Sequence, residues 1–117
     1  MSEPVATEIR LRRAARVLQV SFDDGSRFEL PFEYLRVHSP SAEVKGHGPG
    51  QEVLVRGKHG VGIAGIEPVG QYAVKLVFDD GHDTGLYSWE YLHELGTGEG
   101  ELWPAYLKGL ADAGLKR

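Results

Sequence analysis

Apolar and polar side chains alternate along Arg16–Phe22, which puts Leu18, Val20 and Phe22 on one face at the period of a half-buried strand. Asp23-Asp24-Gly25 then signals a hairpin, and the return strand carries Phe28 and Leu30. The loop length follows from the faces. A loop of Asp24-Gly25 alone would set Val20 against Glu29, whereas a loop of Asp23 to Gly25, with Gly25 left-handed, sets Val20 against Phe28 and Leu18 against Leu30. The second register keeps the apolar residues together and is the one predicted.

The pattern returns downstream. Tyr72–Phe78 alternates in the same way, Asp79-Asp80-Gly81 turns, and the return strand runs through Leu86. Phe22-Asp-Asp-Gly25 matches Phe78-Asp-Asp-Gly81 at an offset of 56, and Phe32-Glu-Tyr-Leu35 matches Trp89-Glu-Tyr-Leu92 at 57, so one residue is inserted between. Each repeat is a hairpin followed by a short helix, with Pro31 suited to a first helical position and Ser88 to an N-cap. Around the repeats the pattern predicts a strand near Glu8–Arg12, a loop over Val37–Gly50, and short strands near Glu52–Val55 and Val61–Val69. A C-terminal helix follows over about 103–113, burying Tyr106, Leu107 and Leu110 beside Trp103. The expected architecture is α+β: a small β-rich single domain over 1–117, core about 7–95, with two pseudo-repeated hairpin-plus-short-helix units sharing a core and a C-terminal helix.

Length and composition narrow the function classes. At 117 residues, 41% hydrophobic and 26% charged, the chain is neither a disordered tail nor a fibrous segment. It has no apolar run long enough for a membrane span and no apolar core of a signal peptide, so a cytoplasmic protein is expected. The absence of cysteine excludes disulfides, thiolate catalysis and the common structural zinc sites. A formal charge of −4 argues against a nucleic-acid partner.

Few groups could carry chemistry. Gly60-Val-Gly-Ile-Ala-Gly65 satisfies the dinucleotide-binding spacing, but Pro68 and Gly70 prevent the helix that such a motif must open. Asp23/Asp24 and Asp79/Asp80 could bind a hard cation or form an acid/base pair; each pair also precedes a hairpin glycine, where Asp serves turn geometry. Among His38, His47, His59, His82 and His93, His82 stands out, because the favoured register sets it across from Phe78 on the face of Leu76 and Leu86, at the wet end of the core. It is either a ligand or proton carrier, or a hydrogen-bonded rim histidine. Arg10, Arg12, Arg13 and Arg16 read as a solvated edge strand and turn, and Tyr87, Trp89 and Tyr91 as core aromatics of which one beside His82 could be exposed.

Gly65–Leu92, together with Phe28-Glu-Leu-Pro-Phe-Glu-Tyr-Leu-Arg36, resembles the signature of the gamma-butyrobetaine hydroxylase-like N-terminal domain, long catalogued as a domain of unknown function. The resemblance covers about residues 7–95. It implies a domain that occurs alone in bacteria, as the N-terminal part of 2-oxoglutarate- and iron-dependent hydroxylases, and fused to iron–sulfur-cluster carrier ATPases in plants. It also implies that catalysis in the hydroxylases belongs to the domain that follows. The hydroxylase version holds zinc with three cysteines after its Tyr-Leu-Arg-like segment and with a histidine that matches His82. The corresponding stretch here, Val37–Val44, has no cysteine, so a zinc or iron site would have to be rebuilt from His82 with His38, Glu43 or His47.

The expected function is a non-catalytic binding or adaptor module in iron or iron–sulfur metabolism. Its partner would be a protein, an iron–sulfur-cluster carrier ATPase or an oxygenase-type protein, with no membrane or nucleic acid involved. The expected docking face comprises His82, Asp83, Tyr87 and Trp89 with the Gly46–Gly50 loop. The alternatives are a zinc or iron carrier using His82 with His38, His47 or His59, and a small enzyme using His82 with Asp83 or Asp80. The enzyme reading is the poorest, since adjacent strand residues face opposite ways.

Overall fold

The structure is a computed structural model that describes residues 4–41 and 55–117. Strands β1 (Ala6–Arg12), β2 (Val17–Phe22) and β3 (Arg27–Pro31) form one antiparallel sheet in that order, and helix α1 (Phe32–Val37) follows. Strands β4 (Ile63–Val69), β5 (Ala73–Phe78) and β6 (Leu86–Ser88) form the second, followed by helix α2 (Trp89–Asp112). The repeat is therefore larger than a hairpin and helix. β1 and β4 belong to it too, and each carries a bulge at the same place, between Ala6 and Glu8 and between Ile63 and Gly65. The strand expected over 52–55 and the glycine-rich loop fall largely outside the described residues, as do His47 and Glu43.

In the first hairpin Leu18 faces Leu30 and Val20 faces Phe28, with Gly25 at a φ of 89°, as the apolar faces require. The second hairpin starts identically. Phe78 N–H donates to His82 O as Phe22 N–H does to Ser26 O, and Gly81 also has a positive φ of 91°. Beyond His82, however, the register differs by one residue from the expected one: Val74 faces Tyr87, and Lys75 faces Leu86. The inserted residue is absorbed over 82–85, which lie outside strand geometry. Consequently Tyr87 is fully buried, in the place that Leu30 occupies in the first repeat, and Leu86 is half exposed rather than on the core face.

The C-terminal half also differs from expectation. A short helix after Ser88 and a separate one from about residue 103 are one continuous helix, although Gly96, Gly98, Gly100 and Pro104 would weaken it in isolation. Packing overrides propensity: Leu92, Leu95, Tyr106 and Leu110 make one buried stripe, and a side chain at Gly96 would run into the ring of Phe28. Ser88 caps the start by accepting from Tyr91 N–H at 3.0 Å. Gly114, at a φ of 71°, closes the end, with Leu115 N–H donating to Leu110 O and Gly114 N–H to Ala111 O. Leu115 then packs on Val37, Tyr106 and Leu110.

Both sheets and both helices contribute to one apolar core that includes Val20, Leu30, Tyr34, Leu35, Leu76, Tyr87, Leu92 and Leu95. The repeats bind each other reciprocally across it. Tyr34 of α1 donates its hydroxyl to Leu95 O, and its counterpart Tyr91 of α2 donates to His38 O, each at 2.6 Å. Asp24 of the first hairpin pairs with His93 of α2, and Asp80 of the second with Arg36 of α1. His93 packs edge-on against Phe22, while the Arg36 guanidinium lies over the equivalent Phe78. Contacts of the form i to j and j to i are those of a pseudo-twofold axis within one chain.

Gly96→Ala should destabilise the fold by about 1–3 kcal/mol, the cost of overpacking. Urea unfolding would measure it, and adding Phe28→Leu should recover part of the loss if the ring of Phe28 is what excludes the methyl group.

Candidate functional site

The two repeats differ most beside the second hairpin. Where Phe28 fills the space over Gly96, the equivalent of Phe28 is Gly85, and Ser39 fills the space over it. An apolar contact in one repeat is thus a polar one in the other. Ser39 is fully buried, and its Oγ lies 2.8 Å from His82 Nε2 and accepts from Ser41 N–H at 3.3 Å. Ser41 Oγ lies 2.7 Å from Thr84 Oγ1. Tyr87 donates its hydroxyl to Leu35 O at 2.5 Å, and burial pushes its phenol well above the usual range.

Asp80 anchors this cluster. One carboxylate oxygen accepts from Arg36 Nε at 3.0 Å and Lys58 Nζ at 2.7 Å, and the other accepts from His82 N–H at 3.2 Å. Burial alone would raise this carboxyl, but hydrogen bonds from Lys58, His82 N–H and Arg36 outweigh it and hold it at about 2. Arg36 itself is buried, and its Nη1 has no hydrogen-bond partner among the described residues. The exposed counterpart Asp24 is also held at about 2, by the hydroxyl and N–H of Ser26 and then by His93.

The turn reading of the acid pairs accounts for half of their work. Asp24 and Asp80 each accept from the backbone N–H two residues on. Asp23 and Asp79 each tie down the strand start of their own sheet, through Val5 N–H and Gly62 N–H. The other half is charge pairing with the opposite repeat, which the local sequence does not announce. Lys58, Ser39, Ser41 and Thr84 were likewise not marked by any motif; for Ser39 and Ser41 the polar stretch that follows α1 is the one sequence signal.

The described residues of the expected docking face do not form one surface. His82 and Tyr87 are buried, so neither offers contact area to a partner. Asp83 is exposed and Trp89 half-buried. Trp89 also lies at the Tyr72 end of β5 and His82 at the Phe78 end, separated by six steps along the chain or roughly 20 Å. The basic N-terminal cluster is more than a solvated edge: Arg13 donates to Ala64 O and Arg16 to Val61 O, fastening the first repeat to the second. Arg12 pairs with Glu29 and Arg10 with Glu8, both at the surface.

The described residues do not fit a zinc or iron site. His82 Nε2 faces a serine hydroxyl, and His38 Nδ1 donates to Tyr34 O at 3.0 Å with its ring against Tyr34 and Tyr106. His93 is paired with Asp24, and His59 is exposed. Among the described residues no three His, Asp or Glu side chains converge on one point. An acid/base couple of His82 with Asp80 fares no better, because Asp80 meets His82 only through the backbone.

A family described as gamma-butyrobetaine hydroxylase-like, N-terminal, matches residues 9–93. Two proteins solved in solution by NMR are similar over 99% of this chain. One is 50% identical, with 91% of its own length covered and a TM-score of 0.85. The other is 53% identical, with 86% covered and a TM-score of 0.86. A crystal structure of a protein of unknown function from Acidithiobacillus ferrooxidans, belonging to the DUF971 family, is 42% identical over 78% of this chain and 91% of its own, with a TM-score of 0.65. Among curated proteins nothing matches.

The folded-state Asp80 carboxyl sits below its ordinary 3.8, so its contribution to stability is present above that value and is lost as pH falls toward about 2. Asp80→Asn should cost about 1–3 kcal/mol near neutral pH. It should also flatten the acid limb of a plot of unfolding free energy against pH; an unchanged acid limb would show that Asp80 is not held as described.

Proposed function

The chain belongs to the gamma-butyrobetaine hydroxylase-like N-terminal family, and from that premise we propose that it is a non-catalytic docking module acting on a protein partner in iron or iron–sulfur metabolism. One observation carries the docking half of this reading. Three of the described groups with catalytic or ligating potential are engaged by the chain itself: His82 by Ser39, Asp80 by Arg36 and Lys58, His93 by Asp24. Apolar side chains, by contrast, stand at the surface. Tyr72 is 69% exposed, and Val5, Val69 and Leu86 are between 40% and 50% exposed. The pairing of Val69 with Ala73 and of Lys75 with Leu86 sets Val69 and Leu86 on the outward face of the second sheet, while Tyr72 lies in the β4–β5 turn and Val5 just before β1. Exposed aromatic and aliphatic groups on a rigid sheet suit recognition of another protein better than turnover of a small molecule.

The link to iron rests on the family's associations, as a domain joined to oxygenases and to iron–sulfur-cluster carrier ATPases. A cytoplasmic location goes with such a partner, and among the described residues no helix is long and apolar enough to cross a membrane.

Immobilised full chain should bind the iron–sulfur carrier ATPase of the same cell saturably in an interferometry titration. Absence of binding to that ATPase and to oxygenase-type proteins would remove the proposed partner class. Untagged protein purified without chelator should contain only substoichiometric zinc or iron; a full equivalent that His82→Ala abolishes would move the reading to metal carriage.

A further inference from the structure

The pseudo-twofold repeat leaves two clefts at equivalent places, one where the β1–β2 turn meets α1 and one where the β4–β5 turn meets α2. The backbone sets their equivalence: Phe32 N–H donates to Arg16 O at 3.1 Å, and Trp89 N–H to Tyr72 O at 2.8 Å. The first cleft, about 220 Å³, is lined by Arg16, Phe32, Glu33, His59 and Arg117 among others. The second, about 300 Å³, is lined by Pro4, Val5, Tyr72, Ser88, Trp89 and Glu90. Each therefore presents an aromatic ring followed by a glutamate in the first turn of its helix.

The first cleft is supplied with guanidinium groups by the chain itself. Arg16 lies over the Phe32 ring, 5.7 Å from its centroid. Arg117 grips Glu33 with Nε at 2.9 and 3.0 Å from the two carboxylate oxygens and Nη2 at 2.6 Å from one of them. The second cleft repeats the ring and the acid without the arginines. Tyr72 stands where Arg16 does, and among the described residues no Arg, Lys or His lines the cleft and the exposed Glu90 has no ion pair. Its indole is held in place: Trp89 Nε1–H donates to Gln71 O at 2.9 Å.

We propose that this second cleft binds the guanidinium of an arginine side chain from a protein partner, with Glu90 as its counter-charge and Tyr72 and Trp89 as its aromatic walls. The chemistry is that which the chain already uses in the first cleft. An acid in the first turn also suits the helix dipole. That role does not exclude the other, because Glu33 occupies the same position in α1 and still takes Arg117. Arginine rather than lysine is specified because a planar fork can meet a carboxylate and lie on a ring together. The assignment rests on the docking reading and names the side chain by which a partner would be held.

The test is an NMR titration of the ¹⁵N-labelled full chain with the peptide acetyl-Gly-Arg-Gly-amide. Saturable shifts of the Trp89 indole and Glu90 amide are expected, with the Trp103 indole, which lies against Tyr106, as the unmoved control. Glu90→Gln and Tyr72→Ala, both at exposed positions, should each weaken binding about threefold. The citrulline peptide should not bind. No saturable shift at Trp89, or equal binding of the citrulline or lysine peptide, overturns the assignment. A carrier ATPase that binds while the arginine peptide does not leaves the docking reading standing and removes this cleft from it. Peptide binding without ATPase binding keeps the cleft and removes that partner.

Discussion

Two hairpins hold each other's helices. Asp24 pairs with His93 and Asp80 with Arg36, while Tyr34 and Tyr91 pass their hydroxyls across to the end of the opposite helix segment. Neither three-stranded sheet could bury its apolar face alone, and each short helix segment is too small to form without packing. The exchange meets both needs, since each sheet is covered partly by the other repeat's helix. It also explains why the acid at the hairpin tip recurs. Its first duty is to the turn, and its second is to a base on the other repeat, so both copies need the same residue for the same two reasons.

How far this was legible follows from where the determinants lie. The first hairpin could be read residue by residue because Phe28 and Leu30 have an apolar face to satisfy and only one loop length satisfies it. The second could not, because the inserted residue sits among Asp83, Thr84 and Gly85, none of which has an apolar face to reveal the slip. Tyr87 and Leu86 thereby exchange faces. The long helix was hidden for a different reason. Gly96, Gly98, Gly100 and Pro104 argue against helix locally, and what overrides them is the packing of Leu92, Leu95, Tyr106 and Leu110, with Phe28, far away in the chain, set over Gly96.

The same distinction separates what could be foreseen of the site. His82 was singled out from its place beside the turn, but its burial depends on Ser39 and on the register slip. Arg13 and Arg16 looked like edge-strand charge because their acceptors, Ala64 O and Val61 O, are backbone atoms of the other repeat, and no sequence pattern marks a backbone acceptor. Contacts within a repeat were readable; contacts between repeats became so only with the axis that relates them.

A pseudo-twofold constrains two copies only where they meet. The core positions keep their character, with Phe22 and Phe78, Val20 and Leu76, and Leu35 and Leu92 in matching places. Away from the axis each copy may be filled differently without disturbing the other, and it is there that they diverge. Phe28 over Gly96 becomes Ser39 over Gly85, which converts an apolar contact into a hydroxyl and imidazole cluster. Arg16 becomes Tyr72, which removes a guanidinium and leaves an aromatic surface beside an exposed carboxylate. The first difference is buried and so bears on stability and on what His82 can reach. The second is exposed and bears on what the molecule can touch. Comparison of one half of the chain with the other therefore locates surface chemistry that neither half displays alone.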